Sequence, residues 1–352
     1  MLHAPTAVGG HPSGLAAAER ELGLESTVLA VDEPPFGYAV NRVLAPAGTS
    51  VAVREWRRWR EVWAARRDAD VVHFNFGSTL APAAHGPAAR PGAAGRVFEV
   101  YARLLEQRDL GLLRGHPLFV TFQGDDVRPS GDRESDRHKR RRALRFADAV
   151  HTLYVLNPDL ATYVPRAEFL PYASVDPRAW TPVPVSASGP LRVVHAPSDR
   201  VRKGTDEVLA AVERGRAAGA DLELELVEGV SRVEARRALE RADVVVDQLV
   251  VGWYGGVAVE AMALGKTVIA RIERSGLEPV PAAMREQLPV VDADGRSLER
   301  ALIDLSGVRR GDVQELGRRG RAFVERWHDP LEIARRVVAD YERALSAHGR
   351  GA

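Results

Sequence analysis

The sequence has no cysteine among its 352 residues. Disulfide bridges, thiolate-bound metals and cysteine nucleophiles are therefore excluded, and a reducing compartment is favoured. No stretch approaches the ~18 uninterrupted apolar residues of a membrane-spanning helix, and the first residues lack the basic and apolar regions of a signal peptide. We therefore expect a cytoplasmic protein without an integral membrane segment.

The chain also lacks an excess of either charge. Its 49 basic and 48 acidic residues give a formal net charge of +1, so no overall attraction to nucleic acid or to anionic lipid is expected. One local basic run, Arg137–Arg142, is most simply interpreted as a solvated helix face. Hydrophobic residues make up 45% and charged residues 28%, which is typical of a globular protein. Composition does not indicate an oligomeric state.

Short β-branched runs alternate with amphipathic segments in both halves of the chain, which predicts α/β architecture with parallel sheets. The strands predicted in the first half are Thr27–Val31, Val71–Phe74, Leu118–Phe122, Ala149–Leu153 and Ala167–Leu170, with a helix over Ser50–Arg67. Those predicted in the second half are Leu191–His195, Leu222–Val227, Asp243–Asp247 and Thr267–Ile272.

Five prolines between Pro171 and Pro190 separate the two halves and predict a linker. We predict a Rossmann-like, acceptor-binding domain over residues 1–172, a linker over 173–190, and a second, nucleotide-sugar-binding Rossmann-like domain over 191–328. Residues 329–352 are predicted to form a helix that packs back on the first domain. Ligands of such domains bind at the carboxyl ends of the strands.

The strongest local pattern is a buried strand, a glycine-containing loop and a helix that ends at Gly265. The loop brings the amides of Gly255, Gly256 and Val257 to the start of the helix, where free N–H groups and the helix dipole favour a pyrophosphate. Glu260 follows one turn later and has the chemistry to accept from ribose hydroxyls. A tight turn with a surface glutamate explains the same residues equally well.

This segment resembles the E-x7-E region of family-4 GT-B glycosyltransferases. Glu260-Ala-Met-Ala, Gly265 and Val268-Ile-Ala match it, whereas Gly252 replaces the first glutamate of the family and Thr267 its proline. The resemblance implies a GT-B fold, two Rossmann-like domains whose parallel sheets face each other across a cleft. It also implies that Glu260 binds the donor ribose. The first glutamate holds the donor sugar in the family, so other residues must do so here, and the candidates are Gln248, Trp253 and Tyr254.

A second motif joins the first strand of the second half to a helix. Lys203-Gly204 matches the K-G pair of the family, which implies that Lys203 neutralises the donor diphosphate and the charge developing on the leaving group. The partner arginine of the family is replaced by Ser198, and Arg200 or Arg202 would take its place. A solvated basic loop is the alternative interpretation.

The first half carries weaker signals. Gly9 and Gly10 resemble the N-terminal glycine loop of the family, which faces the donor phosphates. Asp70-Val-Val-His73-Phe-Asn75 resembles its D-V-V-H-x-H, and the next strand ends in Gln123, Asp125 and Asp126. We predict His73 as a catalytic base and list the acceptor-binding candidates as Asn75, Gln123, Asp125 and Asp126. A capping or core role is as plausible for each of them.

The function predicted is transfer of a hexose from a nucleotide-diphosphate sugar to a small-molecule or saccharide acceptor, with retention implied by the resemblance. No tight acidic cluster of the D-x-D kind follows a predicted strand, so no metal is expected, and the nucleotide sugar is a co-substrate rather than a cofactor. Three alternatives stay open: a nucleotide-sugar epimerase of the same fold, a non-catalytic nucleotide-sugar-binding subunit, and a pseudo-glycosyltransferase that forms C–N bonds.

Overall fold

The computed structural model describes residues 1–83, 93–164 and 166–348. These residues form two compact units. The first unit comprises Met1–Ser174 and Pro330–Ala352, and the second comprises Val175–Asp329. Among the described residues, none of the helices has both the length and the apolar character that crossing a membrane requires.

The first unit is a seven-stranded sheet in the order β3-β2-β1-β4-β5-β6-β7, with every pairing parallel. Its strands are β1 (Leu2–Ala4), β2 (Thr27–Ala30), β3 (Arg42–Val43), β4 (Val72–Asn75), β5 (Leu118–Phe122), β6 (Thr152–Val155) and β7 (Glu168–Phe169). Its helices are α1 (His11–Glu21), α2 (Val51–Asp68), α3 (Ala93–Leu105), α4 (Arg108–Leu112), α5 (Arg133–Ala149) and the last helix of the chain, Pro330–His348.

The second unit is a five-stranded parallel sheet in the order β12-β11-β10-β8-β9. Its strands are β8 (Leu191–His195), β9 (Leu222–Leu226), β10 (Val244–Val246), β11 (Thr267–Ala270) and β12 (Val291–Asp292). Its helices are α6 (Arg200–Lys203), α7 (Thr205–Ala217), α8 (Arg232–Arg241), α9 (Gly256–Ala263), α10 (Ala282–Glu286), α11 (Leu298–Gly307) and α12 (Arg310–Trp327), and the helix Pro330–His348 is α13.

The predicted strands all appear, and the largest shift is in β6. The sequence pattern placed this strand at Ala149–Leu153, whereas α5 continues to Ala149 and the strand occupies Thr152–Val155. The apolar residues at the end of an amphipathic helix look the same as the start of a buried strand, which explains the error. The two-residue strands β3 and β12 are too short to give an alternating pattern.

Most of the proline-rich segment belongs to the second unit, which begins at Val175. The amide of Val183 donates to the carbonyl of Leu264 at 2.9 Å, and the amide of Ser186 donates to the Asp243 carboxylate at 2.7 Å. The Asp243 carboxylate also accepts from the amide of Arg192 at 2.9 Å. These bonds fix the segment near the amino ends of the central strands β8 and β10 despite its lack of regular structure.

A buried polar cluster ties α13 to the sheet of the first unit. The Tyr341 hydroxyl lies 2.6 Å from Nδ1 of His73 and donates to Oε1 of Glu19 at 3.2 Å. The other oxygen of Glu19 lies 2.8 Å from Nε2 of His3. Polar groups in a core are stable only when they are paired, so the cluster fixes the position of α13 on the strands and on α1.

We predict that Tyr341→Phe lowers the free energy of unfolding by about 1–3 kcal/mol, because it leaves buried polar atoms of His73 and Glu19 without a partner. Urea unfolding of the whole chain measures the loss. Tyr163→Phe is the matched control, since Tyr163 is 41% exposed. Equal stability of the two variants would contradict the structural importance of the cluster.

Candidate functional site

The candidate donor site lies at the carboxyl end of β10. Asp247 directly follows this strand and is buried. One carboxylate oxygen accepts from the amide of Gly255 at 2.5 Å, and the other accepts from Nζ of Lys203 at 2.6 Å. Gly255 is the N-cap of α9. The Asp247 carboxylate therefore holds the lysine at the N-terminus of this helix.

Lys203 has a second partner in Gln248, whose side-chain oxygen accepts from Nζ at 2.9 Å. An ammonium group has three N–H donors, and within the described part of the chain these two contacts engage two of them. The side chain of Lys203 is 12% exposed. The site thus combines a nearly buried cation, one available donor direction and the positive end of a helix dipole.

The end of β8 and the turn after it position Lys203. His195, its last residue, is buried and lies 2.8 Å from the carbonyl of Val246 and 3.0 Å from the hydroxyl of Thr205. Burial lowers the pKa of His195. The α7 helix begins at Thr205 after Gly204, whose φ of 73° favours glycine. This turn delivers Lys203 to the end of β10.

Glu260 lies one turn into α9, with a side chain that is 15% exposed. One of its oxygens accepts from Arg232 Nη2 at 3.2 Å. Burial raises the pKa of Glu260, and the neighbouring Arg232 opposes that change. The predicted ribose ligand is therefore held by an arginine that the sequence motifs did not indicate.

Arg200 and Lys203 contact different residues. Its guanidinium donates to Glu228 at 2.8 Å, lies 3.8 Å from Asp206, and is about half exposed. The predicted diphosphate role of Arg200 stays a prediction, because its present partners are two carboxylates near the surface. Lys203, by contrast, lies beside the loop at the start of α9.

The departure at Gly252 has a steric cause. A Cβ atom at this position would lie 2.3 Å from Cβ of Glu273 and 3.2 Å from its amide nitrogen. The amide of Glu273 donates to the carbonyl of Gly252 at 2.9 Å, so the two backbones are in contact. Glutamate does not fit at 252, and the residue packed against this position is Glu273, which the sequence motifs did not indicate.

The residues suggested as replacements for the missing glutamate differ in accessibility. Trp253 and Tyr254 are fully buried and stack with ring centroids 4.5 Å apart. The Tyr254 hydroxyl lies 2.9 Å from Nε2 of His328. Gln248 contacts Lys203 directly. These contacts favour a packing role for the two aromatic residues and leave Gln248 as the stronger candidate for a ligand contact.

In the first unit, a cavity of about 680 Å³ lies at the carboxyl ends of β1, β2, β4 and β5. Its size lies in the range of small-molecule sites. Asp125 and Asp126 line it. The Asp126 carboxylate accepts from the amides of Gln123 and Gly124, and burial raises its pKa. Asp126 therefore shapes the turn after β5, whereas Asp125 is 47% exposed at the cavity.

Two other predicted acceptor ligands have side-chain atoms without a hydrogen bond. Asn75 Oδ1 and Gln123 Nε2 are buried and lack a hydrogen-bond partner among the described residues. Gly9, with a φ of 67°, approaches Gln123 so closely that a Cβ would lie 3.3 Å from its Oε1. Gly10, at 70°, leaves no room for a Cβ beside the ring of Tyr38. The loop after β1 therefore reaches the loop after β5, although β4 lies between these two strands in the sheet.

His73 is positioned differently from the other candidates. It is fully buried, with Tyr341 on one ring nitrogen and the hydroxyl of Thr121 at 2.8 Å on the other. Burial lowers its pKa well below the ordinary value. These contacts favour a structural role, and the predicted catalytic role stays a prediction without geometric support. Within the described ranges, no group of three or more metal-binding side chains is present.

Comparison with known proteins relates the chain to solved structures. No protein-family model matches it, and no curated protein does. Sucrose-phosphate synthase of Thermosynechococcus elongatus aligns with a TM-score of 0.60 at 16% identity, over 99% of this chain and 100% of that one. A glycosyltransferase from Rickettsia africae aligns with a TM-score of 0.55 at 10% identity, over 98% of this chain and 97% of that one.

A third similar structure is a mutant TarM from S. aureus in complex with Fondaparinux, alpha-GlcNAc-glycerol and UDP. It aligns with a TM-score of 0.52 at 10% identity, over 82% of this chain and 59% of that one. With the two parallel-sheet units, these similarities show that the fold is GT-B, as predicted. The narrower resemblance to family 4 stays a prediction.

We predict that Gly252→Ala lowers the free energy of unfolding by about 1–3 kcal/mol, because the added methyl group meets the backbone and Cβ of Glu273. Gly256→Ala is the matched control, since no atom beyond the adjacent residues and the backbone of its own helix lies within 4 Å of a Cβ at that position. Thermal and urea unfolding measure both variants. A Gly252→Ala protein as stable as the Gly256→Ala protein would contradict the steric explanation.

Proposed function

We propose that this chain is a glycosyltransferase that takes a hexose from a nucleotide-diphosphate sugar and transfers it to a small-molecule or saccharide acceptor. In this proposal the second unit binds the donor and the first unit binds the acceptor. The observation that carries it is the position of Lys203 at the N-terminus of α9 in a GT-B fold. The similar TarM structure, which contains UDP, supports a nucleotide-dependent reaction.

The proposed chemistry requires stabilisation of a diphosphate. The bond between the anomeric carbon and the diphosphate oxygen breaks, and the acceptor oxygen forms the new bond and loses its proton. Negative charge grows on the departing diphosphate, where the third N–H of Lys203 and the first amides of α9 would stabilise it. Asp247 keeps the ammonium in place, and Glu260 is the proposed ribose ligand. By resemblance the departing phosphate assists deprotonation, and the product retains its anomeric configuration.

The proposed acceptor site is the cavity at the strand ends of the first unit. Asn75 Oδ1 at the end of β4 and Gln123 Nε2 just after β5 are the polar atoms proposed to meet acceptor hydroxyls, since buried polar atoms in proteins are normally hydrogen-bonded. Asp125 lines the cavity and is accessible to an acceptor. Gly9 and Gly10 are proposed to let the donor phosphates approach the backbone of the first unit.

We predict that a nucleoside diphosphate binds the chain and that Lys203→Ala weakens its affinity about 10-fold or more, because a hydrogen bond to a charged group contributes roughly 1.5–3 kcal/mol. Calorimetry with a panel of nucleoside diphosphates measures this and identifies the base. Arg309→Ala is the control, since that side chain is 89% exposed. If no diphosphate binds, or if both variants bind as the unchanged protein does, the proposed site is wrong.

Once the base is identified, the matching nucleotide sugar separates the alternative functions. Incubation with the matching nucleotide sugar and no acceptor leaves the donor sugar unchanged in a glycosyltransferase, whereas an epimerase alters its configuration. Consumption of the donor only in the presence of an acceptor hydroxyl would support transfer. A donor that binds and stays intact with every acceptor would favour a non-catalytic subunit.

Burial raises the pKa of Glu260. We therefore predict that, on acidification, the affinity for the nucleoside diphosphate begins to fall at a higher pH than it would with an ordinary glutamate. The carboxylate accepts ribose hydroxyls fully only above this raised pKa, and the contact weakens as pH falls through it. Calorimetry over a pH series measures the effect. Glu260→Gln, which has no titrating group here, is expected to lack this part of the pH dependence, and an identical profile for both proteins would exclude the ribose role.

A further inference from the structure

Three neighbouring helices of the first unit expose an unusual number of large apolar side chains. Trp56 and Trp63 on α2 are 60% and 56% exposed. On α3, Val97, Val100 and Leu104 are 71%, 58% and 64% exposed. Leu144 on α5 is 44% exposed. Single exposed apolar residues are common, but a group of this kind on adjacent elements marks an interaction surface.

The α3 helix contacts both of the others through side chains. Tyr101 of α3 accepts from Trp59 of α2 at 2.9 Å, and Arg103 of α3 lies 3.8 Å from Glu134 of α5. Tyr101 and Arg103 point to opposite sides of α3, because two residues correspond to about 200° of helix rotation. The exposed valines and Leu104 occupy the outward face between these two sides.

The exposed charge on these helices is strongly positive. Ten exposed residues are arginines and three are carboxylates, whereas the whole chain has a net charge of +1. The arginines are Arg60, Arg66, Arg67, Arg96, Arg103, Arg133, Arg137, Arg140, Arg141 and Arg145, and the carboxylates are Asp68, Glu134 and Asp148. The positive charge of the molecule is therefore concentrated where its apolar side chains are exposed.

The tryptophans themselves are paired with cations. The guanidinium of Arg60 lies 4.9 Å from the ring centroid of Trp56, and that of Arg66 lies 5.7 Å from the ring centroid of Trp63. Tryptophan favours the boundary between water and acyl chains, and arginine extends its charge toward phosphate groups there. This combination is typical of surfaces that lie in the headgroup region of a membrane.

We infer that this basic–apolar face, formed by the exposed side chains of α2, α3 and α5, binds the surface of an anionic lipid bilayer. Its excess of arginines complements the negative headgroups, and Trp56, Trp63 and the α3 side chains enter the interface. The charge favours lipid over an ordinary protein partner, and the protruding apolar groups favour lipid over nucleic acid. The binding is peripheral and does not depend on the proposed transferase activity.

The face adjoins the ligand-binding side of the first unit. Arg58 of α2, Phe98 of α3 and Lys139 of α5 line the cavity of about 680 Å³ at the strand ends. The helices that would contact the bilayer therefore also form walls of this cavity. Docking would bring the cavity close to the membrane surface.

Flotation of the full-length protein with vesicles tests this inference. One set contains phosphatidylcholine alone, and the other contains phosphatidylcholine mixed with phosphatidylglycerol. We expect flotation only with the second set, and loss of flotation at high salt. The triple variant Arg137→Glu, Arg141→Glu, Arg145→Glu is expected to weaken binding at least 10-fold. The matched control carries Arg300→Glu, Arg309→Glu and Arg318→Glu, whose side chains are 80%, 89% and 69% exposed in the second unit.

A second variant tests the apolar contribution. Trp56→Ala with Trp63→Ala keeps every arginine, and we expect weaker flotation and a smaller blue shift of tryptophan fluorescence on adding anionic vesicles. Thermal unfolding verifies that each variant is folded. No binding to anionic vesicles, an equal loss in the control triple variant, or binding to duplex nucleic acid without binding to vesicles would overturn the inference. Nucleoside diphosphate affinity is measured separately, so that a failure of the proposed transferase function can be distinguished from a failure of the membrane inference.

Discussion

The buried ion pair between Lys203 and Asp247 is the contact on which the candidate donor site depends. It joins the turn before α7, the end of β10 and the N-cap of α9. Burying two charges is costly unless each is paired and hydrogen-bonded, and here Gln248 and the Gly255 amide supply the additional bonds. The pair therefore fixes both the position of the ammonium group and the course of the glycine loop.

The fold and the backbone of this site could be predicted because they depend on local patterns. Apolar β-branched runs identified the strands on both sides of the loop, and Gly265 identified the end of α9, where its φ of 74° requires glycine. The helix begins at Gly256, within the three residues that the sequence placed at its start. Local sequence was sufficient to identify these elements because strand, turn and helix follow one another directly along the chain.

The partners of the functional candidates could not be predicted in this way. Asp247 looks like any residue at the end of a strand, and its lysine lies 44 positions earlier. His73 occupies a position where the family motif suggests chemistry, but Tyr341, 268 residues later, engages it in the core. From the sequence, Gly252 is interpreted as the loss of a glutamate, whereas the structure shows that Glu273 leaves no room for a side chain there. Each assignment depends on contacts between distant segments, and a single sequence does not encode them as a pattern.

The distribution of charge on the surface also could not be predicted from the sequence. A net charge of +1 excludes a general attraction to anionic surfaces, yet it averages over groups that the fold separates. The basic run Arg137–Arg142 divides when α5 forms: Arg142 turns inward to the carbonyl of Gly77, whereas Arg137 and Arg141 stay in solvent. Folding then adds the outward arginines of α2 and α3 to the same side. The sequence of one helix is therefore the same whether its basic face is only solvated or is part of a larger basic–apolar face. The difference lies in the side chains that the neighbouring helices expose.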